Sequence, residues 1–210
     1  LLWKEKLLCK LLPDRGAILD IGAGTGDFVA ALHKKDWEAY GVEPNRGALK
    51  RAGDKGIQLF PSLKELPVQK YKAITLWHVL EHLPDLESQI EGMKGLLDTD
   101  GFMIVAVPNY KSFDAKYYGE YWAAYDVPRH LWHFSRTSVA RLFDAHGMKI
   151  VDTRPMWFDS FYVSLLSEKY KRGKQGYWRP FWIGVQSNLS ALRTGEYSSL
   201  IYIITENKGK

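Results

Sequence analysis

Two spacings of apolar residues alternate along the first half of the chain. Short, nearly continuous apolar runs mark strands buried on both faces, and apolar residues every three or four positions mark helices packed by one face. Leu7, Leu8 and Leu11 stand at helical spacing among lysines, and Pro13-Asp14 ends them, which predicts a lead-in helix over 2–12. A strand follows at 17–21, then a helix from Asp27 to Lys35, then a strand from Trp37 to Val42 that closes on Glu43-Pro44-Asn45. A helix over 46–54 leads into a short strand, Ile57 to Phe60. The fourth strand is Tyr71 to Trp77; after a helix over 86–97 and the polar Asp98-Thr99-Asp100-Gly101, a fifth runs from Phe102 to Val107 and stops at Pro108-Asn109.

Strands that alternate with helices in this way predict βαβ units, right-handed crossovers and a doubly wound, mostly parallel α/β sheet. The last third of the chain reads differently. Residues 109–134 are aromatic and poorly periodic, too long for an ordinary connection, and are expected to form a lid or substrate segment. Ser135 has the character of an N-cap for a helix ending before Gly147. A strand at Met148 to Val151, two helical segments and a β-branched strand, Ser198 to Thr205, complete the chain. With no repeats or linkers, residues 1–210 are expected to form one domain, with 1–13 as its lead-in helix.

At 46% apolar and 25% charged, the composition excludes a disordered chain. The net charge of +5 is mild, and the cluster from Lys169 to Lys174 reads as a solvated helix end; no RNA-binding signature accompanies it, so no nucleic-acid partner is expected. Cys9 is the only cysteine, which excludes an internal disulfide and a cysteine-based zinc site and points to the reducing cytoplasm. No apolar run reaches the roughly 18 residues of a membrane span. The chain opens at Leu1 rather than a methionine, so a targeting segment or upstream domain in front of it would not be seen.

The chemistry concentrates at the strand ends. Asp20-Ile21-Gly22-Ala23-Gly24-Thr25-Gly26-Asp27-Phe28 is a strand feeding a glycine turn into a helix, an arrangement that lets backbone approach a nucleotide-like ligand. It departs from the dinucleotide fingerprint at position 27, where Asp27 replaces the third glycine. A carboxylate in the first helical turn repels a pyrophosphate and suits a cationic, phosphate-free nucleoside such as S-adenosylmethionine. Glu43, about twenty residues on at the next strand end, can accept both ribose hydroxyls.

Four motifs carry a family resemblance: Leu19 to Gly26, Gly41-Val42-Glu43-Pro44, His78-Val79-Leu80-Glu81-His82-Leu83-Pro84, and Val105-Ala106-Val107-Pro108-Asn109. Together they resemble class I S-adenosylmethionine-dependent methyltransferases over residues 14–151, and within that class the small-molecule branch related to ubiquinone-biosynthesis O-methyltransferases. The resemblance implies a Rossmann-like, three-layer, seven-stranded sheet with an antiparallel last strand. It implies that Gly22, Ala23, Gly24 and Gly26 hold the methionine part of the cofactor and that Asp20 orients the turn or the ammonium. Phe28, Trp77 and His78 would line the cofactor, Glu43 and Pro44 would take the ribose side, and Ser62 and Leu63 would flank the adenine. Some relatives hold a divalent metal on Glu-x-x-Glu-His; here the first position is His78 while Glu81 and His82 match, a conceivable ligand set for a transition metal. Glu81 is expected to cap or pair locally and His82 to pack at the turn, and no metal is expected.

A second cluster, Tyr125 to Ser135, lies where an acceptor should face the methyl group. His130 or His133 could take the proton released when an oxygen or nitrogen is methylated. Tyr121, Trp122, Tyr125 and Arg129 are the candidate substrate residues, although the aromatics serve equally well as core over the sheet edge. The expected partner is a small-molecule acceptor, and the expected state a monomer or homodimer. A non-catalytic cofactor-binding module or partner subunit stays open; a nicotinamide oxidoreductase is disfavoured by Asp27 and by the lack of a dehydrogenase catalytic set.

Overall fold

The structure, a computed structural model, describes residues 2–174 and 176–207; Leu1 and residues 208–210, the ends of the expected domain, lie outside the described residues. The elements run α1 (Leu2–Leu11), β1 (Ile18–Ile21), α2 (Asp27–His33), β2 (Ala39–Val42), α3 (Arg46–Gly53), β3 (Tyr71–Trp77), α4 (Leu86–Leu96), β4 (Leu97–Pro108), α5 (Phe113–Tyr118), α6 (Arg136–Ala145), β5 (Met148–Pro155), α7 (Asp159–Arg172), α8 (Trp178–Thr194) and β6 (Ser199–Glu206). The sheet order is β2-β1-β3-β4-β6-β5. The first four strands are mutually parallel, and β6 enters antiparallel between β4 and β5.

Side chains alternate across the sheet and bury two separate cores. On one face Leu19, Ile21, Ile74, Leu76 and Val105 meet Ile90 of α4 and Phe143 of α6. On the other, Ile18, Ala73 and Ile104 meet Leu8 of α1 and Leu32 of α2. A fully buried side chain of this size contributes about 1.5–3 kcal/mol, so helices on both faces are required to cover strands that are apolar throughout.

Local signals hold where they were strongest. Ser135 caps α6 in a reciprocal box with Ser138: each backbone N–H donates to the other's hydroxyl, at 3.2 and 2.7 Å. Asn45 likewise caps α3 by accepting from Ala48 N. Two expectations change. The strand at 57–60 is reduced to one bridge, Val42 to Phe60, so the sheet has six strands among the described residues. Residues 98–101 stay within β4 as an irregularity in its pairing with β3 rather than forming a free loop. Residues 109–134 are folded in as a layer: Tyr118, Trp122 and Ala123 bury against Val163 of α7 and Ile183 of α8. Asp114 anchors that layer. Its buried carboxylate accepts from Trp122 Nε1 at 2.8 Å, Ser187 Oγ at 2.6 Å and Ser198 Oγ at 2.7 Å, which satisfies the charge in the absence of water.

Candidate active site

The carboxyl ends of β1, β2, β3, β4 and β5 share one edge of the sheet, the edge where open parallel sheets place their ligands. At the end of β1 the chain turns through Gly22, Gly24 and Gly26, all at positive φ (68°, 56° and 75°). A Cβ at Gly22 would lie 2.5 Å from Val79, whereas one at Gly24 would meet nothing within 4 Å. The first glycine is therefore needed for packing; the second leaves backbone open to an approaching ligand. Glu43, just past β2, closes on that turn: Oε2 accepts from Gly24 N at 2.9 Å and Oε1 from Asn45 N at 2.8 Å. Asp27 stays exposed in the first turn of α2, and its hydrogen bonds from Lys55 Nζ (2.6 Å) and Thr25 Oγ1 (2.7 Å) hold it below the usual carboxylate range.

The other predicted cofactor residues surround this turn. Phe28 is buried beneath it, Ala23 is half-buried in it, and Pro44 is exposed beside Glu43. Glu43 N donates to Phe60 O at 2.9 Å, which sets the following loop, with half-buried Ser62 and Leu63, next to the turn. Ser62 Oγ donates to Glu65 Oε1 at 3.1 Å, an acid the sequence reading did not use.

Asp20 sits behind the turn. Burial pushes its carboxyl up to about 7, against the hydrogen bond from Thr75 Oγ1 at 2.5 Å and the nearby charge of Lys4. Lys4, unforeseen in the sequence, reaches from α1 so that its ammonium lies 4.2 Å from the Trp77 ring centroid and 5.3 Å from that of Phe28. Burial lowers its pKa, while Asp20 and Asp159 act to raise it. Cations are favoured at this spot by the ring faces and by the acids behind them.

Beyond β3 and β4 lies a cavity of about 390 Å³ whose lining includes His78, Glu81, Asp126, His130, Asp159 and Tyr162. His78, at φ 56°, directs Nε2 to Asp159 Oδ2 at 3.1 Å and Nδ1 to Glu81 Oε1 at 3.4 Å. Burial opposes its charge, but the two carboxylates outweigh burial and raise it to about 9, so it is an imidazolium at neutral pH. His130 has the opposite environment. Burial lowers its pKa, and Nδ1 lies 2.8 Å from the carbonyl of Ala124. A carbonyl only accepts, so Nδ1 keeps the proton and Nε2 is left with a free lone pair. Asp126 Oδ2 stands 3.7 Å from that nitrogen.

The predicted acceptor residues separate. Arg129 and His130 line the cavity, with Arg129 held by Asp126 at 2.6 Å. His133 is exposed, with Nε2 2.9 Å from Tyr125 O, and its ring packs edge-on against Tyr125. Trp122 is buried on Asp114, Tyr125 packs against Trp122, and Tyr121 is exposed; none of the three lines the cavity. Asp159 was missed, because it arrives from beyond β5, 81 positions after His78. Ligand atoms of Glu81, His82 and His130 lie within 4.8 Å of one another, a grouping that could hold a cation.

A family profile described as a methyltransferase domain matches residues 3–153. Among curated proteins, the C-methyltransferase NovU of Streptomyces niveus is 24% identical over 155 residues, which cover 67% of this chain; the chain spans only 34% of that protein's length. Among solved structures, the plantazolicin methyltransferase BpumL, in complex with a pentazolic substrate analog and SAH, superposes with TM-score 0.64 at 15% identity over 99% of this chain and 84% of its own. Coclaurine N-methyltransferase, bound to N-methylheliamine and SAH, gives 0.61 at 13% identity, covering 97% and 71%. These structures share the fold. The profile covers well over half of the chain, which therefore belongs to the methyltransferase-domain family.

Proposed function

We propose that this member of the methyltransferase-domain family moves a methyl group from S-adenosylmethionine to an O, N or C nucleophile of a small molecule held in the cavity beyond β3 and β4. One observation carries the reading: a glycine turn with open backbone at Gly24 stands at the same sheet edge as a cavity whose His130 is neutral and whose Nε2 is free. The residues present fit the donor. Gly22, Ala23, Gly24 and Gly26 form the cradle, Glu43 and Pro44 lie at the ribose side, and Ser62 and Leu63 flank the adenine. Asp20 and Asp159 both act on the Lys4 ammonium over the Trp77 ring, which marks where positive charge would rest, and Phe28, Trp77 and His78 complete the lining.

When bound, S-adenosylmethionine supplies an electrophilic methyl carbon on a positively charged sulfur that leaves readily. The protein then has to position the acceptor, exclude water and receive a proton. His130 Nε2 is the group that receives it when the acceptor is an O–H or N–H. The imidazolium of His78, with both N–H groups turned to Asp159 and Glu81, fixes those two carboxylates in the wall, and the guanidinium of Arg129 holds an acceptor oxygen in place by donating a hydrogen bond. His133 fixes the loop through Tyr125 O, so of the two histidines it is His130 that acts as base. Displacement at a sulfonium needs no Lewis acid on the acceptor, and the reading includes no metal.

The relatives methylate carbon and nitrogen by name, which leaves the acceptor atom open here; a ring oxygen, as in the ubiquinone-type enzymes, stays within the reading. The same reading takes 1–210 as one working unit with 109–134 as its acceptor wall, and the cytoplasm as its place, in a monomer or homodimer. Incubation of the protein with methyl-labelled S-adenosylmethionine and fractionated small metabolites tests it. Label should enter a small product, and far more slowly with His130→Ala; equal rates of incorporation by both proteins would remove His130 as the base, and no labelled small product at all would overturn the reading.

A further inference from the structure

The layer formed by α7 and α8 is built the wrong way round for a surface open to water. The face of α8 that packs inward carries, besides Pro180 and Ile183, the small residues Gly184, Ser187 and Ala191, and Gly184 is pressed so closely on Phe161 that a Cβ there would lie 2.6 Å from its ring. The outward face carries Trp178, Phe181, Trp182, Leu189 and Leu192, with Trp178 82% exposed and the other four at least half exposed. α7 shows the same tendency: Ser160, Ser164 and Ser167 are buried with Val163 and Glu168, while Tyr162 and Tyr170 are out. Large side chains at helical spacing on the solvent side, with small ones on the core side, mark a face that meets a second apolar phase.

We infer that this face docks the protein on an anionic lipid surface, with α8 lying in the plane of the headgroups. Charge selects that occupant. From Lys169 to Gly195 the chain carries Lys169, Lys171, Arg172, Lys174, Arg179 and Arg193 and not one Asp or Glu. Tryptophan and tyrosine beside lysine and arginine are the side chains that suit the boundary between acyl chains and anionic headgroups. A two-fold contact with a second copy would set the same cations against each other. A polar RNA would leave uncovered the groove between Phe161, Leu165, Trp178 and Phe181, which is almost wholly apolar. No described helix is long and apolar enough to cross a membrane, so the contact is peripheral.

α7 connects the patch to the cavity: Phe161 and Leu165 line the apolar groove with α8, while Tyr162 and Tyr170, exposed on the same helix, line the cavity that holds His78 and His130. On the methyltransferase reading, on which this last step alone rests, the acceptor is an amphiphile that enters the cavity from the lipid.

The test is co-sedimentation with phosphatidylcholine vesicles, with and without one-quarter phosphatidylglycerol, run beside S-adenosylhomocysteine titration of each protein. Wild type should pellet with the anionic vesicles at least tenfold more strongly than with neutral ones. Trp178→Glu with Trp182→Glu, and separately Lys169→Glu with Lys171→Glu and Lys174→Glu, should each cut that binding at least tenfold while S-adenosylhomocysteine binding stays unchanged. Wild type that remains in the supernatant overturns the inference, as does patch-dependent dimerisation or RNA binding in place of vesicle binding. Vesicle binding without any S-adenosylhomocysteine binding would keep the docking surface and refute the methyltransferase reading instead.

Discussion

The glycine turn after β1 and the cavity beyond β3 sit on one sheet edge, yet they are made of different material. The turn is backbone, shaped by Gly22 and Gly24 and clasped by the single carboxylate of Glu43, all within a few residues of strand ends. The cavity is side chains, brought from β3, the 109–134 layer and α7, and its character comes from two histidines driven apart in charge: His78 raised to about 9, His130 lowered. A site made of backbone recognises a ligand common to many proteins. A site made of side chains can change its substrate without touching the fold.

The difference can be broken hardest at the cavity. His130→Ala should reduce turnover by about 10²–10⁴-fold, the usual contribution of a general base, while leaving S-adenosylhomocysteine affinity where it was; a variant that loses cofactor binding in step with turnover would merge the two regions. At the turn the opposite split is expected. Glu43→Ala should weaken cofactor binding by about 1–3 kcal/mol, the loss of hydrogen bonds to a charged group, measured by calorimetry, with kcat at saturation little changed.

The opposed histidines predict a pH dependence in both activity and stability. Turnover should rise as His130 loses its proton below pH 6.5 and fall as His78 loses its own near pH 9. For stability the sign follows from the proton that the folded state retains. A value of about 9 in the fold against roughly 6.5 in the unfolded chain means that the contribution of His78 is complete below about pH 6.5 and is lost as pH rises through 9. Tm measured from pH 6 to 10 should show that fall, and His78→Gln should flatten it. The smallest effect expected is that of His133→Ala, which removes one exposed hydrogen bond to Tyr125 O and should cost about 0.5–1.5 kcal/mol of stability with kcat retained. Turnover reduced as far as in His130→Ala would return His133 to the chemistry.

The same contrast decides what could be read from the sequence. Parallel strands buried on both faces write themselves as apolar runs, and a glycine turn and its acid lie close together along the chain, so β1 to β4 and the meeting of the Gly22–Gly26 turn with Glu43 were legible. Ile57–Phe60 was over-read because Phe60 gains only one bridge, on Val42, before Pro61 turns the chain away. Asp159 was invisible because nothing local ties it to His78; only the return of β5 beside β6 brings it there. Trp122 was left between two roles, and the structure gives it the core one. Aromatic residues look alike in a core and in a pocket wall, and the deciding partner, Asp114, is eight positions away in a segment without periodicity.

The glycine turn is expected to take a cationic, phosphate-free nucleoside whose reactive end meets the cavity at His78. Calorimetric titration of the wild-type protein and of Glu43→Ala with S-adenosylhomocysteine and, separately, with NAD tests it most directly. The account predicts one S-adenosylhomocysteine per chain, weakened by Glu43→Ala, and no measurable NAD binding; tighter binding of NAD, or S-adenosylhomocysteine binding that ignores Glu43, would contradict it.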